Sequence, residues 1–336
     1  MPAGPFASAS PTLADLRAAH ARAARHAIRT PLVRLPLDGR EIWLKLECLQ
    51  PIGSFKIRGA ANAMALAARE SLAAGVATAS AGNMAQGAAW VARALGVPCT
   101  VVAPDHAPAA KLDALARLGA RVEKVPFARW WQVMEERSYP GLVGLFIHPV
   151  ADEAVIAGNA GIGLEILEDL PEPAAVLVPY GGGGLASGIA LALRAAGSGA
   201  PVFACEVATA APLAAAFAAG EPRTIEYSAS FVDGIGGRGV LAEMWPLVRR
   251  LLAGTCVSPL EAVAEAVRTL ATRAHVIAEG AGGASLAAAL GGAQVIDAGG
   301  RPASLPEGPI ACVISGGNID PAKLAAILDG RVPDRA

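Results

Sequence analysis

The chain has 336 residues and a formal net charge of −1, with 54% hydrophobic and 17% charged residues. That composition excludes a disordered polar chain and, at about 100 to 200 residues per domain, predicts two domains with ample core. The near-neutral balance without a Lys/Arg run excludes a nucleic-acid or acidic-membrane surface and leaves small molecules as partners. The five cysteines, Cys48, Cys99, Cys205, Cys256 and Cys312, stand far apart and never as C-x-x-C. The five histidines show no ligand spacing either, so no disulfide framework and no metal site is expected. Asp15 and Arg17 interrupt any signal-peptide plan and no 18-residue apolar run occurs, so the expected compartment is cytoplasmic.

Short runs rich in β-branched residues alternate with longer Ala/Leu/Arg segments of helical period, the pattern of βαβ units and mainly parallel sheets. In chain order it predicts a helix over Leu13–Ile28, a strand over Trp43–Glu47, a helix over Lys56–Ala68 and a strand over Val76–Ser80. A helix over Asn83–Leu95, a strand over Cys99–Ala103, a helix over Ala109–Leu118 and strands over Arg121–Val125 and Leu145–His148 follow. Next come a helix over Asp152–Leu167, a strand over Ala175–Pro179, a helix over Leu185–Ala195 and a strand over Val202–Val207. The chain closes with helices over Pro259–Ala274 and Ala281–Leu290, a strand over Ile310–Ser315 and a helix over Pro321–Leu328. The alternation breaks at Tyr139-Pro140-Gly141 and again across residues 221–239, where Pro222 and several glycines predict a long functional loop.

Four segments carry chemistry. In Gly53-Ser54-Phe55-Lys56-Ile57-Arg58-Gly59 a lysine sits between an aromatic and a β-branched residue at a helix opening. Such surroundings desolvate the amine, which suits a base or a Schiff-base former, although the same heptapeptide also reads as a snorkelling lysine. In Ser80-Ala81-Gly82-Asn83-Met84 a strand turns on glycine into a helix, making either a carboxylate cradle or an ordinary Asn83 cap. Gly181-Gly182-Gly183-Gly184, between a buried strand and a helix, lets several N–H groups approach one phosphate. Glu206 ends the next strand as a ribose-binding acid would, so a nicotinamide-dependent oxidoreductase is a rival reading. Ser315-Gly316-Gly317-Asn318 places a hydroxyl at the end of another buried strand, as a partner for a ring nitrogen or as a helix cap.

In order, these segments resemble the serine/threonine dehydratases of the fold-type II pyridoxal-phosphate enzymes, a family that also includes serine racemase. The likeness extends to Lys45-Leu46-Glu47, Val155-Ile156-Ala157-Gly158, Gly163-Leu164-Glu165-Ile166, Asp233-Gly234-Ile235 and Glu279-Gly280-Ala281-Gly282. The resemblance implies an α/β, tryptophan synthase β-like fold of two domains, each a mainly parallel sheet flanked by helices. Residues 70–148 would form a small mobile domain, and residues 1–69 plus 149–336 a large cofactor-binding one. Pyridoxal 5′-phosphate would bond covalently to Lys56, with Phe55 packed beside it, Asn83 on its ring oxygen, Gly181 to Gly184 round its phosphate and Ser315 at its ring nitrogen. Lys56, with Ser80, would be catalytic, and Ser80, Ala81, Gly82, Asn83, Met84 and Trp131 would bind substrate. The implied reaction converts L-threonine or L-serine to a 2-oxo acid and ammonia in a homodimer.

The departures from the family carry expectations of their own. Ala81 stands where serine racemase has a second serine, which disfavours an amino-acid racemase. Met84 replaces a common histidine and Trp131 an arginine, with Phe127 and Trp130 nearby, which admits a bulkier β-hydroxy amino acid such as phenylserine. Asn159 replaces the usual glutamine. The stretch from Glu206 to Pro212 lacks the acids of the family's cation site. The chain ends soon after Asp329, so no isoleucine-responsive regulatory domain is expected.

Overall fold

The computed structural model describes residues 4–37, 39–107 and 109–333. In chain order the elements are α1 (Leu13–Ala23), β1 (Leu32–Arg34), β2 (Ile42–Lys45), α2 (Lys56–Leu66), α3 (Arg69–Ala74), β3 (Val76–Ala79), α4 (Asn83–Leu95) and β4 (Cys99–Pro104). They continue through α5 (Ala109–Arg117), β5 (Arg121–Val125), α6 (Phe127–Glu136), β6 (Leu145–Phe146), α7 (Glu153–Asp169), β7 (Ala175–Pro179), α8 (Gly184–Ala195) and β8 (Val202–Val207). The last are α9 (Pro212–Ala219), α10 (Trp245–Leu251), β9 (Gly254–Ser258), α11 (Leu260–Arg273), α12 (Gly280–Ala289), β10 (Gln294–Asp297), β11 (Ile310–Val313) and α13 (Pro321–Leu328).

Two sheets organise the chain. A seven-stranded sheet has the order β1-β2-β11-β7-β8-β9-β10, and a four-stranded sheet the order β5-β4-β3-β6. The smaller sheet is parallel throughout. The larger is parallel from β2 to β9, with β1 and β10 pairing antiparallel at its edges. Period-two alternation decides its faces. Val176, Val178, Ala311 and Val313 enter one core together with α8, whereas Leu177, Ile310 and Cys312 enter the other together with α12.

Helix α7 is apolar nearly all round, and it is buried between α1, α2 and α8. Its glycines make that possible. A Cβ at Gly158 would lie 2.6 Å from the Arg58 carbonyl, and one at Gly188 of α8 would lie 2.5 Å from the Ile156 carbonyl. Backbones of α2, α7 and α8 therefore touch, and the helix that opens with Lys56 is seated on a rigid base.

The predicted strands and helices all appear, several of them shorter than expected: the strand at Ile310 ends at Val313 and that at Leu145 ends at Phe146. The sequence pattern missed β1, α3, α9, α10, β9 and β10, which are short or Ala- and Gly-rich segments with little periodicity to read, and α6, a ten-residue amphipathic helix that buries Val133 and Met134. In the predicted long loop, residues 221–239, the described backbone holds only one short helical turn, Asp233–Ile235.

Candidate active site

Neighbouring strands β7 and β11 have their helices α8 and α12 on opposite faces of the sheet, so a crevice opens beyond their carboxyl ends. The tetraglycine leaves β7 there, and residues 315–318 leave β11 beside it. Residues 53–55 are stitched to the second loop: Phe55 N–H donates to the Ser315 carbonyl at 3.0 Å, and Gly317 N–H to the Gly53 carbonyl at 2.8 Å. The sequence distance between Lys56 and Ser315 is thus closed by backbone pairing, and Lys56 opens α2 at the crevice.

Lys56 Nζ donates to the Pro149 carbonyl at 3.0 Å and lies 5.1 Å from the centre of the Phe55 ring. Burial lowers its pKa to about 8, opposed by the nearby Glu279 charge. A desolvated amine without a bonded carboxylate is a nucleophile and a base at mildly alkaline pH.

Two helix N-termini converge on the crevice without side-chain caps. Helix α8 starts from Gly183, whose φ of +96° is left-handed and favours glycine. A Cβ at Gly182 would lie 2.5 Å from Val150 Cγ1, and one at Gly184 would lie 2.9 Å from the Val150 carbonyl. Helix α4 starts from Gly82, where Ser80 Oγ accepts from Gly82 N–H at 3.2 Å and shapes the turn. Unpaired first-turn N–H groups and the helix dipole make each end a cradle for one anion.

Asn83 bridges the two sheets. Its Nδ2 donates to Glu279 Oε1 at 2.9 Å, and its Oδ1 accepts from Asn318 Nδ2 at 2.8 Å. Glu279 is 7% exposed, and burial first, then the Asp233 charge, pushes its carboxyl up to about 7. In the sequence Glu279 stands within the Glu279-Gly280-Ala281-Gly282 likeness and carries no expected role of its own. The available signal was an acid heading a helix of small residues, Gly280 to Ala289, with no basic residue within that helix to pair with it.

The structure therefore gathers Lys56, Phe55, Asn83, Ser315 and Gly181 to Gly184, with the Ser80 to Gly82 turn beside them. Two substrate-binding expectations fall elsewhere. Met84 is 1% exposed and packs in the core between α2 and α4 with Ile57 and Val91, so it is a packing residue and not a pocket wall. Trp131 is 41% exposed on α6, with its indole N–H donated to Glu135 Oε1 at 2.8 Å, so it faces solvent. Asn159 lies on α7 against Gly59 and Gly188.

Glu206 corrects the rival reading. It is fully buried and accepts from the N–H groups of Leu213 and Ala214 at 2.7 and 2.9 Å and from Thr255 Oγ1 at 2.9 Å. Its lone pairs cap α9 and are not offered to a ribose. Among the described residues no group of three or more His, Cys, Asp or Glu side chains could hold a metal ion.

Residues 23–316 match the family described as "Pyridoxal-phosphate dependent enzyme". The chain is 38% identical over 297 residues to an L-threonine ammonia-lyase of Geobacter sulfurreducens, covering 87% of this chain and 70% of the relative. It is 37% identical over 316 residues to an L-threonine ammonia-lyase of Thermotoga maritima, covering 92% and 76%. Among solved structures, maize serine racemase superposes with a TM-score of 0.83 at 30% identity, covering 94% of this chain and 96% of that one. A threonine deaminase from T.th. superposes with a TM-score of 0.81 at 35% identity, covering 92% and 99%.

Proposed function

This chain belongs to the family of pyridoxal-phosphate dependent enzymes, and from that premise we propose that it dehydrates and deaminates L-threonine or L-serine to a 2-oxo acid and ammonia. The observation that carries the reading is the desolvated Lys56 amine at a crevice flanked by two uncapped helix N-termini, one for a phosphate and one for a carboxylate.

The residues present fit the cofactor. Positions 182 and 184 have no room for a side chain, so the 181–184 backbone stays bare for a phosphate. Ser54 Oγ, Tyr180 Oη and Ser187 Oγ, on the segments that build this crevice, are buried with no partner among the described residues. Orphaned polar atoms of that kind cost about 1–3 kcal/mol each and suit a site built around a polar group. Lys56 would hold the cofactor covalently, with Phe55 against it, Asn83 Nδ2 toward its ring oxygen and Ser315 toward its ring nitrogen.

Bound there, the cofactor supplies an electron sink for charge developing at the substrate Cα. The chain does the rest. Residues 80–83 at the start of α4 hold the substrate carboxylate, which orients the Cα–H bond toward Lys56. The freed Lys56 amine accepts that proton as general base. The Cβ–O bond then breaks and the hydroxyl leaves as water with the proton that Lys56 took up, and the enamine released from the site takes up a water to give the 2-oxo acid and ammonia. Glu279, held by Asn83, keeps a carboxyl that exchanges its proton near neutral pH beside this chemistry.

The four-stranded sheet and its helices form the smaller, mobile domain of residues 70–148 in this reading. Lys111 to Asp233 at 2.9 Å and Arg137 to Glu243 at 2.8 Å would latch it to the larger one. No described helix is long and apolar enough to cross a membrane, and a cytoplasmic homodimer completes the proposal.

A panel of β-hydroxy amino acids assayed for ammonia release tests the reading, together with a visible absorption band that borohydride bleaches, since the band reports a lysine–cofactor bond. No ammonia from threonine or serine overturns it. The enzyme is expected to eliminate and not to racemise, because Ala81 carries no proton to deliver to the face opposite Lys56. Chiral analysis of residual L-serine decides this: D-serine formed as fast as ammonia would transfer that role to the Ser80 hydroxyl.

With Trp131 facing solvent, nothing at that position selects a bulky substrate. Trp131→Ala is expected to change kcat/KM for threonine and for phenylserine by the same factor. A selective loss of about tenfold or more for phenylserine, the worth of a real pocket contact, would return the bulkier substrate.

The depressed Lys56 pKa also sets a pH dependence. In cofactor-free protein, trapping of pyridoxal phosphate on Lys56 by borohydride is expected to rise through a midpoint of about 8, because deprotonation exposes the nucleophile. An increase confined to the ordinary lysine range near 10.5 would contradict the desolvated setting.

A further inference from the structure

We infer that His148 is a positioning residue, whose ring builds the turn that holds both the Lys56 amine and the tetraglycine cradle in place. The inference rests on the reading of Lys56 as the cofactor-bearing lysine. His148 is 3% exposed and lies just beyond β6, where the chain leaves the four-stranded sheet for α7. Its Nδ1 accepts from the N–H of Val150 at 3.2 Å and of Ala151 at 2.8 Å. Both bonds need a free lone pair on Nδ1, so the ring is neutral with its proton on Nε2. Burial first, then the charges of Arg137 and Lys56, lowers its pKa to about 3, which keeps the ring in that form at all working pH values.

What the turn touches gives the ring its consequence. Pro149, inside the turn, has no N–H to compete for Nδ1, and its carbonyl is the acceptor for Lys56 Nζ. Val150, the next residue, is the wall against which Gly182 and Gly184 have no room for a side chain. Ala151 offers its carbonyl to Arg137 Nη2 at 3.0 Å. Behind the ring, Ile147 is pinned to β3 by its N–H to the Ala77 carbonyl at 2.8 Å and by Thr78 Oγ1 donating to its carbonyl at 2.9 Å. One imidazole nitrogen thus fixes consecutive residues that meet the lysine and the phosphate cradle, from a base tied to the other sheet.

The test compares two amides. In His148→Asn the amide Oδ1 takes nearly the place of Nδ1, whereas in His148→Gln the oxygen reaches to the place of Nε2 and the turn loses its acceptor. Both variants, purified with cofactor, are compared with wild type for the dissociation constant of pyridoxal phosphate, the position of the visible absorption band, and kcat and KM for threonine. His148→Asn is expected to stay within about threefold of wild type in cofactor affinity. His148→Gln is expected to bind the cofactor about tenfold or more weaker, with a shifted band and with the loss in kcat rather than KM, as a displaced reacting group gives. Equal cofactor affinity and equal bands in the two variants, even with lowered melting temperatures, would overturn the inference and leave the histidine a purely structural residue. Wild type without any lysine-dependent band would instead overturn the reading of Lys56, and this inference with it.

Discussion

Lys56→Ala is expected to reduce turnover by about 10² to 10⁴-fold or more while the protein still folds. On the proposed reading two losses combine, since the amine would be both the attachment point of the cofactor and the general base for the Cα proton. Folding is spared for a local reason. Lys56 is the first residue of α2, preceded by Phe55 with no side-chain cap, and alanine is the best helix former for that position. The Pro149 carbonyl loses one donor at the crevice, where water can replace it. In cofactor-free protein the substitution also removes a group whose folded pKa is depressed. Wild type carries that penalty in full below about pH 8 and sheds it as pH rises toward 10.5, so the alanine variant gains stability relative to wild type at neutral pH and loses the advantage in alkali. Ammonia release, the visible band and thermal melts at pH 7 and pH 10 check all three points. Residual activity above about one part in a hundred would be more than loss of a base allows.

Why Lys56 was legible and Glu279 was not follows from where their partners lie. The lysine, the tetraglycine, Asn83 and Ser315 each sit at a junction of strand, turn and helix whose residue types already demand a close backbone approach or an uncapped helix. Glu279 acquires its setting from Asn83, 196 residues away, and the Lys56 acceptor is a backbone carbonyl 93 residues away. A carbonyl has no sequence signature. Met84 stands where the family commonly has a histidine, which places it in the pocket by resemblance, yet α4 buries Met84, Ala88, Val91 and Ala92, the i, i+4, i+7, i+8 stripe of a core face. The stripe of α6 likewise turns Val133 and Met134 inward, so Trp131 is left outside. The spacing of Glu206 from the glycines suggests a ribose-binding acid, which its bonds to the Leu213 and Ala214 N–H groups overturn. Pro212 at the start of α9 was the overlooked signal, because a helix beginning there offers N–H groups to an acid six residues before it.

Arg58→Leu is expected to cost about 3–5 kcal/mol at neutral pH, the loss found when one partner of a buried ionic cluster is removed. Arg58 is 1% exposed and makes a double fork. Nε and Nη2 donate to Glu47 at 2.8 and 2.7 Å, and Nη1 and Nη2 donate to Glu165 at 2.7 and 2.8 Å. Lys45 completes the cluster with bonds to Glu165 and to the Thr30 carbonyl, and Thr30 Oγ1 donates to Glu47. Two cations face two fully buried carboxylates, so leucine leaves one acid without compensation and unable to reach water. The sign with pH follows from Glu47. Burial alone would raise its carboxyl, but Arg58 holds it below the usual carboxylate range. A depressed folded pKa contributes stability above the unfolded value of 4.5 and loses it in acid, so the difference between wild type and Arg58→Leu shrinks as pH falls below that value. Arg58→Lys keeps the charge without the planar fork and is expected to fall between the two. Urea unfolding of the three proteins at pH 7 and pH 4 reads each step. A loss below about 1 kcal/mol at pH 7, the worth of an exposed pair, or one that stays constant into acid, would show that the cluster does not act as a paired unit beneath the Lys56 helix.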